Sequence, residues 1–472
     1  MLEHLLYFSP LLILVFGAVL FMLLPQVNEE HTAYFKTARI ILLISFILNI
    51  IFYNKDPLPD ITASNRFVLL FQSMIYVCAF VILFLSRKWF VAMNIAGTHF
   101  CGNLFFVVCS AYLLISSTNL YLTSLAIILF MVGNFFMLGN ENKKQEVNIS
   151  RNIYGAMSVI IAMLLFISVY IFWQSNNNLS YADLRSLLAL KPDDMRLYCA
   201  SACIIISFLF LLNLAPLHFC FTETTGIMVL PVFTYFVLIP LIAAMGAFVE
   251  INIHVFAPIY EHLAFFYRVI ALLSVGIGAI GACSGKNIRK ILSCGAVFNF
   301  GIVFLLLYDF NFESLQITFS YMLIYLLSMS GVCASLYGFR IKGEYLFMLN
   351  EIEGAAQKRP YVSAVLCILL ISLLGLPPSL GFVGIFAMLN NLAMQRHYYE
   401  IIYILLMFLV LAYAYLQIIM ALYFYKSRES FDRADKGIYI AMMLNMVIMM
   451  IILMKPQYFS DYLAFMTESV FE

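Results

Sequence analysis

The sequence has few charged residues: Asp, Glu, Lys and Arg make up 11% of its 472 residues, and the net charge is +1. A soluble domain carries about 25% charged residues, so this chain lacks the charge needed to cover a water-facing surface of its size. The near-zero net charge also argues against a nucleic-acid partner. With 64% apolar residues and a mean hydropathy of +0.98, the chain is predicted to lie in a lipid bilayer.

Motifs typical of metal-binding, disulfide-bonded or dinucleotide-binding proteins are also scarce. The ten cysteines include no CxxC pair and lie in apolar stretches, so we predict that they are small buried hydrophobes rather than metal ligands or disulfide partners. Gly276, Gly278 and Gly281 spell GxGxxG inside an apolar span rather than after a strand, which favours close helix packing over dinucleotide binding. We therefore predict no catalytic residue, no metal site and no bound cofactor in this chain.

Tryptophan is rare, with two residues against 45 Phe and 29 Tyr, which suits the AT-rich coding of an organelle genome. The N-terminal stretch lacks the basic segment and the small-residue cleavage site of a signal peptide. It is predicted to be the first membrane span.

Long apolar stretches recur along the whole chain. A membrane helix needs about 20 mostly apolar residues, and on this criterion we predict about fourteen spans. They lie near residues 5–24, 37–53, 67–86, 94–115, 118–138, 153–173, 197–214, 227–249, 263–283, 290–308, 314–339, 361–395, 401–425 and 437–454. The connection 181–190 is predicted to form a short amphipathic helix at the membrane interface.

The basic residues are distributed unevenly between the connections. By the positive-inside rule, Lys and Arg concentrate on the cytoplasmic or matrix side, and about 18 of them fall in odd-numbered connections against about 8 elsewhere. We therefore predict that the odd-numbered connections face the matrix or cytoplasm. Both termini then lie on the opposite side, which requires an even number of spans.

Proline interrupts two of the predicted spans, the seventh at Pro216 and the twelfth at Pro377 and Pro378. Proline removes a backbone donor and clashes with the preceding helical turn, and in lipid the freed groups need other partners. Paired interrupted helices about five spans apart indicate a transporter built from inverted repeats. Incidental kinks are the alternative.

Sequence motifs occur around these interruptions. Residues 358–384 contain KRPY followed by LLGLPPSLGFVG, residues 214–218 read LAPLH, residues 286–293 read KNIRKILS, and residues 179–184 read LSYADL. In this order and spacing the motifs resemble those of the antiporter-like membrane subunits of respiratory complex I, and subunit 2 (subunit N in bacteria) most closely. The resemblance covers nearly the whole chain and is firmest over residues 110–395.

This resemblance implies an all-α integral membrane fold of about fourteen helices, with two inverted five-helix repeats and breaks in helices seven and twelve. The implied division is into N-terminal helices over 1–93, a first repeat over 94–250, a second repeat over 262–425, and a last helix with its tail over 426–472.

The resemblance also implies a function. The chain would be a membrane-arm subunit of the proton-translocating NADH–quinone oxidoreductase, with FMN, iron–sulfur clusters and ubiquinone bound elsewhere in the complex. Its partners would be other membrane-arm subunits, including the neighbouring antiporter-like subunit 4, together with lipid. The implied location is the mitochondrial inner membrane, or alternatively the bacterial plasma membrane. A free-standing cation/proton antiporter of the Mrp type is the alternative function.

One departure from the family pattern concerns proton transfer. The family implies a mid-membrane row of charged residues, formed by a glutamate on helix five, lysines on helices seven, eight and twelve, and a histidine on helix ten. The matching positions here are Ile128, Leu211, Leu241, Ile385 and Asn299. Because leucine and isoleucine cannot hold a proton in a relay, we predict that the chain has lost, or greatly weakened, its own proton channel.

Two alternatives stay open at this point. A rerouted proton path would use polar side chains near the breaks and in the following spans, namely Asn213, His218, Thr234, Tyr235, Asn299, Asn390 and Asn391. The cluster of Glu250, His254, Glu261 and His262 is predicted to be a solvated loop, with an ion entrance or metal site as the alternative.

Overall fold

A computed structural model describes residues 7–24, 31–53, 55, 61–139, 145–191, 194–307, 310–341, 343–426, 431–432 and 435–470. Residues 5 and 6 of the first predicted span lie outside these ranges. Apart from one small hairpin and three isolated bridges, the regular structure of this part of the chain is helical. The predicted all-helical class is confirmed.

The chain clusters into two compact units. The first comprises Met1–Asn213, Ile239–Ala264 and Glu468–Glu472, and the second comprises Leu214–Leu238 and Phe265–Thr467. These units are clusters in space, and the predicted division into repeats stays a prediction.

The helices up to the first interruption belong to the first unit. They are α1 (Ser9–Leu23), α2 (His31–Ile51), α3 (Arg66–Met93), α4 (Thr98–Ser116), α5 (Leu120–Gly139), α6 (Gln145–Ser175), α7 (Tyr181–Leu190) and α8 (Met195–Leu211). The predicted short helix at 181–190 is therefore present as α7.

The second half of the chain is also mostly helical. Its elements are α9 (Phe219–Ile227), α10 (Leu230–Ile251), a π-helix (Asn252–Phe256), a 3₁₀ turn (Ala257–Ile259), α11 (Tyr260–Cys283), α12 (Ile288–Leu306), α13 (Phe312–Leu336), β1 (Arg340–Ile341), β2 (Glu344–Tyr345), α14 (Ala355–Lys358), α15 (Pro360–Leu373), α16 (Leu380–Met394), α17 (Tyr398–Phe424), α18 (Lys436–Met454) and α19 (Pro456–Glu468).

Within the described residues, ten helical segments are long and apolar enough to cross a bilayer, and one of them, 230–283, runs through α10 and α11. Four shorter apolar helices are Ser9–Leu23, Met195–Leu211, Pro360–Leu373 and Leu380–Met394. A helix satisfies its backbone groups internally, which the bilayer demands. The exact number of crossings stays a prediction.

Polar residues cap the starts of several helices. Asn65 accepts a hydrogen bond from Val68 N (2.8 Å) before α3, and Asn311 accepts one from Ser314 N (2.8 Å) before α13. Such caps satisfy amide groups that lack a partner within the helix. The sequence thus sets these boundaries locally.

Both predicted helix interruptions are present. Helix α8 ends at Leu211 and α9 begins at Phe219, while α15 ends at Leu373 and α16 begins at Leu380. The Ala215–Pro216 and Pro377–Pro378 peptide bonds are cis. The freed amides find side-chain acceptors: Ala215 N donates to Ser274 Oγ (2.9 Å) and Gly381 N donates to Ser372 Oγ (3.2 Å).

Glycines let α11 and α12 approach each other closely in the second unit. A Cβ on Gly278 would lie 2.5 Å from Phe298 N, and one on Gly301 would lie 2.8 Å from Val275 N. Distances this short exclude any side chain at either position. The prediction that the GxGxxG residues serve helix packing is confirmed at Gly278.

In the first unit, main-chain hydrogen bonds join three connections that are far apart in sequence. The bonds run from Ala63 N to Ser116 O (2.8 Å), from Thr118 N to Ile61 O (2.9 Å), from Leu120 N to Leu179 O (3.0 Å) and from Tyr181 N to Thr118 O (3.0 Å). Together they form a short main-chain ladder across 61–63, 116–120 and 179–181.

Candidate functional site

The three positions of the implied charge row that fall in the first unit carry aliphatic side chains in apolar surroundings. Leu211 is the last residue of α8 and is 2% exposed, Leu241 follows Pro240 inside α10 and is 1% exposed, and Ile128 is half-buried on α5. None of these side chains binds a proton or accepts a hydrogen bond from water.

In the second unit, Ile385 covers the break between α15 and α16. Gly375, just beyond the end of α15, has φ +63°, and a Cβ there would collide with Ile385 Cδ1. The isoleucine is 6% exposed. Its aliphatic side chain therefore fills the space next to the break, where the family resemblance implies a lysine.

Asn299 takes part in a buried hydrogen-bonded cluster. Its Nδ2 donates to Gly295 O (2.7 Å) within α12, and its Oδ1 accepts from the Tyr321 hydroxyl of α13 (2.5 Å). Tyr321 also contacts α16, because a Cβ on Gly384 would lie 3.0 Å from its ring. Tyr321 thus bridges the Asn299 position to the helix that carries Ile385.

The polar residues proposed for a rerouted path lie in different surroundings. Thr234 donates back to Leu230 O (2.8 Å) in its own helix, and Tyr235 is fully buried. Asn213 has φ +55° at the end of α8 and belongs to the first unit, whereas Thr234 and Tyr235 belong to the second.

His218 precedes α9 in the second unit. Its carbonyl accepts from Phe221 N and Thr222 N (3.0 Å each), but its side chain does not cap the helix. Nδ1 is buried and has no hydrogen-bond partner among the residues that the structure describes. The side chain lies at the first break, where it interacts with the backbone of Pro216.

The fully buried charged side chains of the described ranges lie near helix ends. They are Glu250, Arg289 and Glu400, with 5%, 6% and 3% of their surface exposed. Glu250 is the penultimate residue of α10, Arg289 the second of α12, and Glu400 the third of α17. Glu250 lies inside the continuous helical segment 230–283, at the point where α10 passes into the π-helix.

The first unit contains a cavity of about 1090 Å³ that no sequence pattern indicated. Its lining includes Asn65, Arg66, Asn119, Asn178, Ser180, Tyr181, Asp183, Arg185, Glu250, His254 and Ser469. These residues come from five separate stretches of sequence. Only the main-chain ladder and the helix ends bring them together, so no single motif could have revealed the cavity.

The prediction that Glu250 lies in a solvated loop is wrong. Helix α10 extends through Ile251, and the π-helix Asn252–Phe256 follows without a break. The Glu250 side chain is 6% exposed, and its Oε2 lies 3.1 Å from His254 Nε2. The described residues contain no group of three or more His, Cys, Asp or Glu side chains that could hold a metal ion.

Tyr181 adds a buried hydroxyl to the cavity wall. It lies 2.7 Å from Thr123 Oγ1 and 3.5 Å from Ser117 Oγ. Burial raises the pKa of Tyr181 to about 12. The phenol therefore stays protonated at physiological pH.

The Asn299–Tyr321 bond gives a first testable prediction. Asn299→Leu leaves the buried Tyr321 hydroxyl without its acceptor, which costs about 1–3 kcal/mol. We expect a lower midpoint of thermal unfolding for the purified protein. The double variant Asn299→Leu/Tyr321→Phe removes both polar groups and should regain most of the loss. A double variant no more stable than Asn299→Leu would contradict the assigned bond.

The sequence of this chain is similar to those of known membrane proteins. A family described as "NADH:quinone oxidoreductase/Mrp antiporter, TM" matches residues 117–412. The chain is 23% identical to NADH-quinone oxidoreductase subunit N of Acinetobacter baumannii, over 88% of this chain and 85% of that protein. It is 26% identical to subunit N of Beijerinckia indica over 51% of this chain and 50% of that protein, so it spans about half the length of that relative.

Three solved structures share the fold. A chain of respiratory complex I from Thermus thermophilus aligns with a TM-score of 0.78 and 19% identity over 95% of this chain and 97% of that one. A chain of the archaeal membrane-bound sulfane sulfur reductase gives 0.85 and 18%, and a chain of the Mrp complex from Dietzia sp. gives 0.86 and 12%, each over 100% of this chain and 98% of that one. The predicted antiporter-like membrane fold is confirmed. Because the family match covers more than half of its residues, this chain belongs to the NADH:quinone oxidoreductase/Mrp antiporter family of membrane proteins.

Proposed function

We propose that the chain is a membrane-arm subunit of a proton-translocating NADH–quinone oxidoreductase. The observation that supports this most strongly is the set of relatives named subunit N, one of which aligns over 88% of this chain. Other membrane-arm subunits, including an antiporter-like subunit 4, and lipid would surround it. FMN, iron–sulfur clusters and ubiquinone would be held by other subunits.

Within that complex, the chain would act mainly as a structural element of the membrane arm. Aliphatic side chains fill the implied charge positions at Leu211, Leu241 and Ile385, and the buried charges of the described residues lie at helix ends. An ionisable group at mid-membrane costs about 2.5–3.5 kcal/mol on the insertion scale and is kept for function. A subunit whose neighbours move protons can lose such groups.

A free-standing Mrp-type antiporter is the second candidate, favoured by the TM-score of 0.86 to a chain of an Mrp complex. Exchange is the whole activity of an antiporter, so its proton and cation sites cannot be dispensed with. The aliphatic residues at the implied charge positions therefore favour the subunit over the antiporter.

We place the chain in the mitochondrial inner membrane, because 45 Phe and 29 Tyr against two Trp suit an organelle genome. The bacterial plasma membrane is the alternative, and the relatives compared above come from bacteria. In both cases the termini would face away from the matrix or cytoplasm.

Purification in a gentle detergent tests the subunit assignment. The chain is expected to migrate in native gels as part of a large assembly with NADH dehydrogenase activity. A chain that migrates alone, and exchanges sodium for protons when reconstituted into vesicles, would establish the antiporter instead.

The Asn299 variant tests the structural role separately. In the assembled enzyme, Asn299→Leu is expected to leave the number of protons moved per NADH unchanged, because no relay would pass through the Asn299–Tyr321 cluster. Proton and NADH fluxes in sealed vesicles measure this ratio. A lower ratio at normal assembly would indicate a rerouted path through the cluster.

A further inference from the structure

Glu250 and His254 form a pair where α10 passes into the π-helix. His254 Nε2 lies 3.1 Å from Glu250 Oε2, and the two side chains are 36% and 6% exposed. The second carboxylate oxygen, Oε1, is buried and has no hydrogen-bond partner among the described side chains and backbone. The pair thus joins a half-exposed imidazole to a buried carboxylate, one oxygen of which accepts no hydrogen bond from the described residues.

This arrangement fits a group that binds a proton. A buried carboxylate is costly unless it is paired with a positive charge or takes up a proton. A proton on His254 supplies that charge through the imidazolium, and a proton on Glu250 removes the buried charge. Either position satisfies the pair.

Other titratable groups line the same cavity and share its electrostatic field. They are Arg66 on α3, Asp183 and Arg185 on α7, and the phenols of Tyr53 and Tyr181. Two arginines and one aspartate thus line the same cavity as the pair.

Water has access to the pair through the cavity of about 1090 Å³, and most of the residues that line this cavity carry polar side chains. On the other side, residues 241–249 of α10 are all apolar, and each is buried. These nine residues span about 13 Å at 1.5 Å per residue. A proton on the pair therefore has no polar route along α10 towards Leu241.

We propose that Glu250 and His254 form a proton-binding site that exchanges with the water of the cavity and is closed towards the interior of α10. This site goes beyond the proposed role as a structural subunit, and it stands whether the chain works in an NADH-oxidising complex or as an antiporter. Only a proton is transferred: it leaves a water-borne acid, binds the pair, and returns by the same route.

Infrared difference spectra of the purified assembly, recorded between pH 5.5 and 8.5, test the site. Subtracting the Glu250→Gln spectrum from that of the unmodified protein should isolate a carboxyl and imidazole titration of about one proton. His254→Gln should remove the imidazole bands and shift the midpoint of the remaining carboxyl signal. Coincident spectra for the unmodified protein and both variants would overturn the proposal.

Glu261→Gln provides the matched control. Glu261 lies exposed in the first turn of α11, eleven residues after Glu250. Its carboxyl is exposed and is not among the residues that line the cavity, so this variant should match the unmodified protein across the range. If Glu250→Gln fails to assemble, His254→Gln decides the question: its exposed position tolerates the amide, and an unchanged spectrum would sink the proposal.

Sealed vesicles with the pH stepped on one side at a time test the closure of the site. The infrared signal of the pair should follow the pH on one side of the membrane alone. An equal response to a step on either side would show that the pair exchanges protons with both sides, which would overturn the proposed closure.

Discussion

Replacing Gly381 with alanine is expected to abolish assembly of the chain or to destabilise it by about 3 kcal/mol or more, the upper range for overpacking. A Cβ at this position would collide with the carbonyl oxygen of Ser372 and lie 2.7 Å from its carbonyl carbon. Both are backbone atoms, so no change of rotamer relieves the clash. The start of α16 would have to move away from the end of α15. Yield of the assembled protein and its thermal midpoint measure the effect.

Gly226→Ala is the matched control. Gly226 lies near the end of α9, the helix that follows the interruption at Pro216. The nearest atom to its Cβ would be Lys290 Cβ at 3.6 Å, an ordinary contact. Alanine is also the better helix former, so this variant should assemble normally. Equal behaviour of the two variants would contradict the close approach at Gly381.

The second large effect is expected from Arg268→Met. The Arg268 guanidinium forms an ion pair with Glu400, whose side chain is 3% exposed, and His397 Nδ1 lies 3.8 Å from the same carboxylate oxygen. Removing one partner of a buried pair leaves an uncompensated charge, which costs about 3–5 kcal/mol. The thermal midpoint in detergent should fall markedly.

Two further variants isolate the cause of that loss. Arg268→Met combined with Glu400→Gln removes the buried charge as well, and it should regain much of the stability. Arg196→Met removes an exposed arginine, 76% exposed and paired with Asp194 at 3.2 Å, and exposed pairs contribute only about 0–1 kcal/mol. A loss from Arg196→Met equal to that from Arg268→Met would mean that burial of Glu400 is not the cause.

The helices and their interruptions could be predicted because each depends on local sequence. Apolar stretches of about 20 residues specify a membrane helix, and Pro216, Pro377 and Pro378 specify where the helix hydrogen bonding fails. The α7 helix was also predictable, from its amphipathic composition and the polar residues around it. In all these cases the decisive interactions lie within a few residues of each other in the sequence.

The cavity and its Glu250–His254 pair could not be predicted in the same way. The eighth predicted span ended at residue 249, because a glutamate lowers the mean hydropathy of the stretch. Glu250 was therefore assigned to the following loop. The structure instead carries α10 through Ile251, because side chains from α3 and α7 supply the polar surroundings that a glutamate needs. Those neighbours lie 65 or more residues away along the chain.

The main-chain ladder across 61–63, 116–120 and 179–181 also forms part of the cavity wall, through Ala63, Thr118, Asn119, Ser180 and Tyr181. Backbone hydrogen bonds hold that stretch of wall together, and the Ser180 side chain adds a cap at the start of α7. Ala63 contributes only a methyl group, so an acidic or basic residue in its place would leave these bonds intact. A single substitution at such a position would therefore change the charge of the cavity wall without moving its backbone.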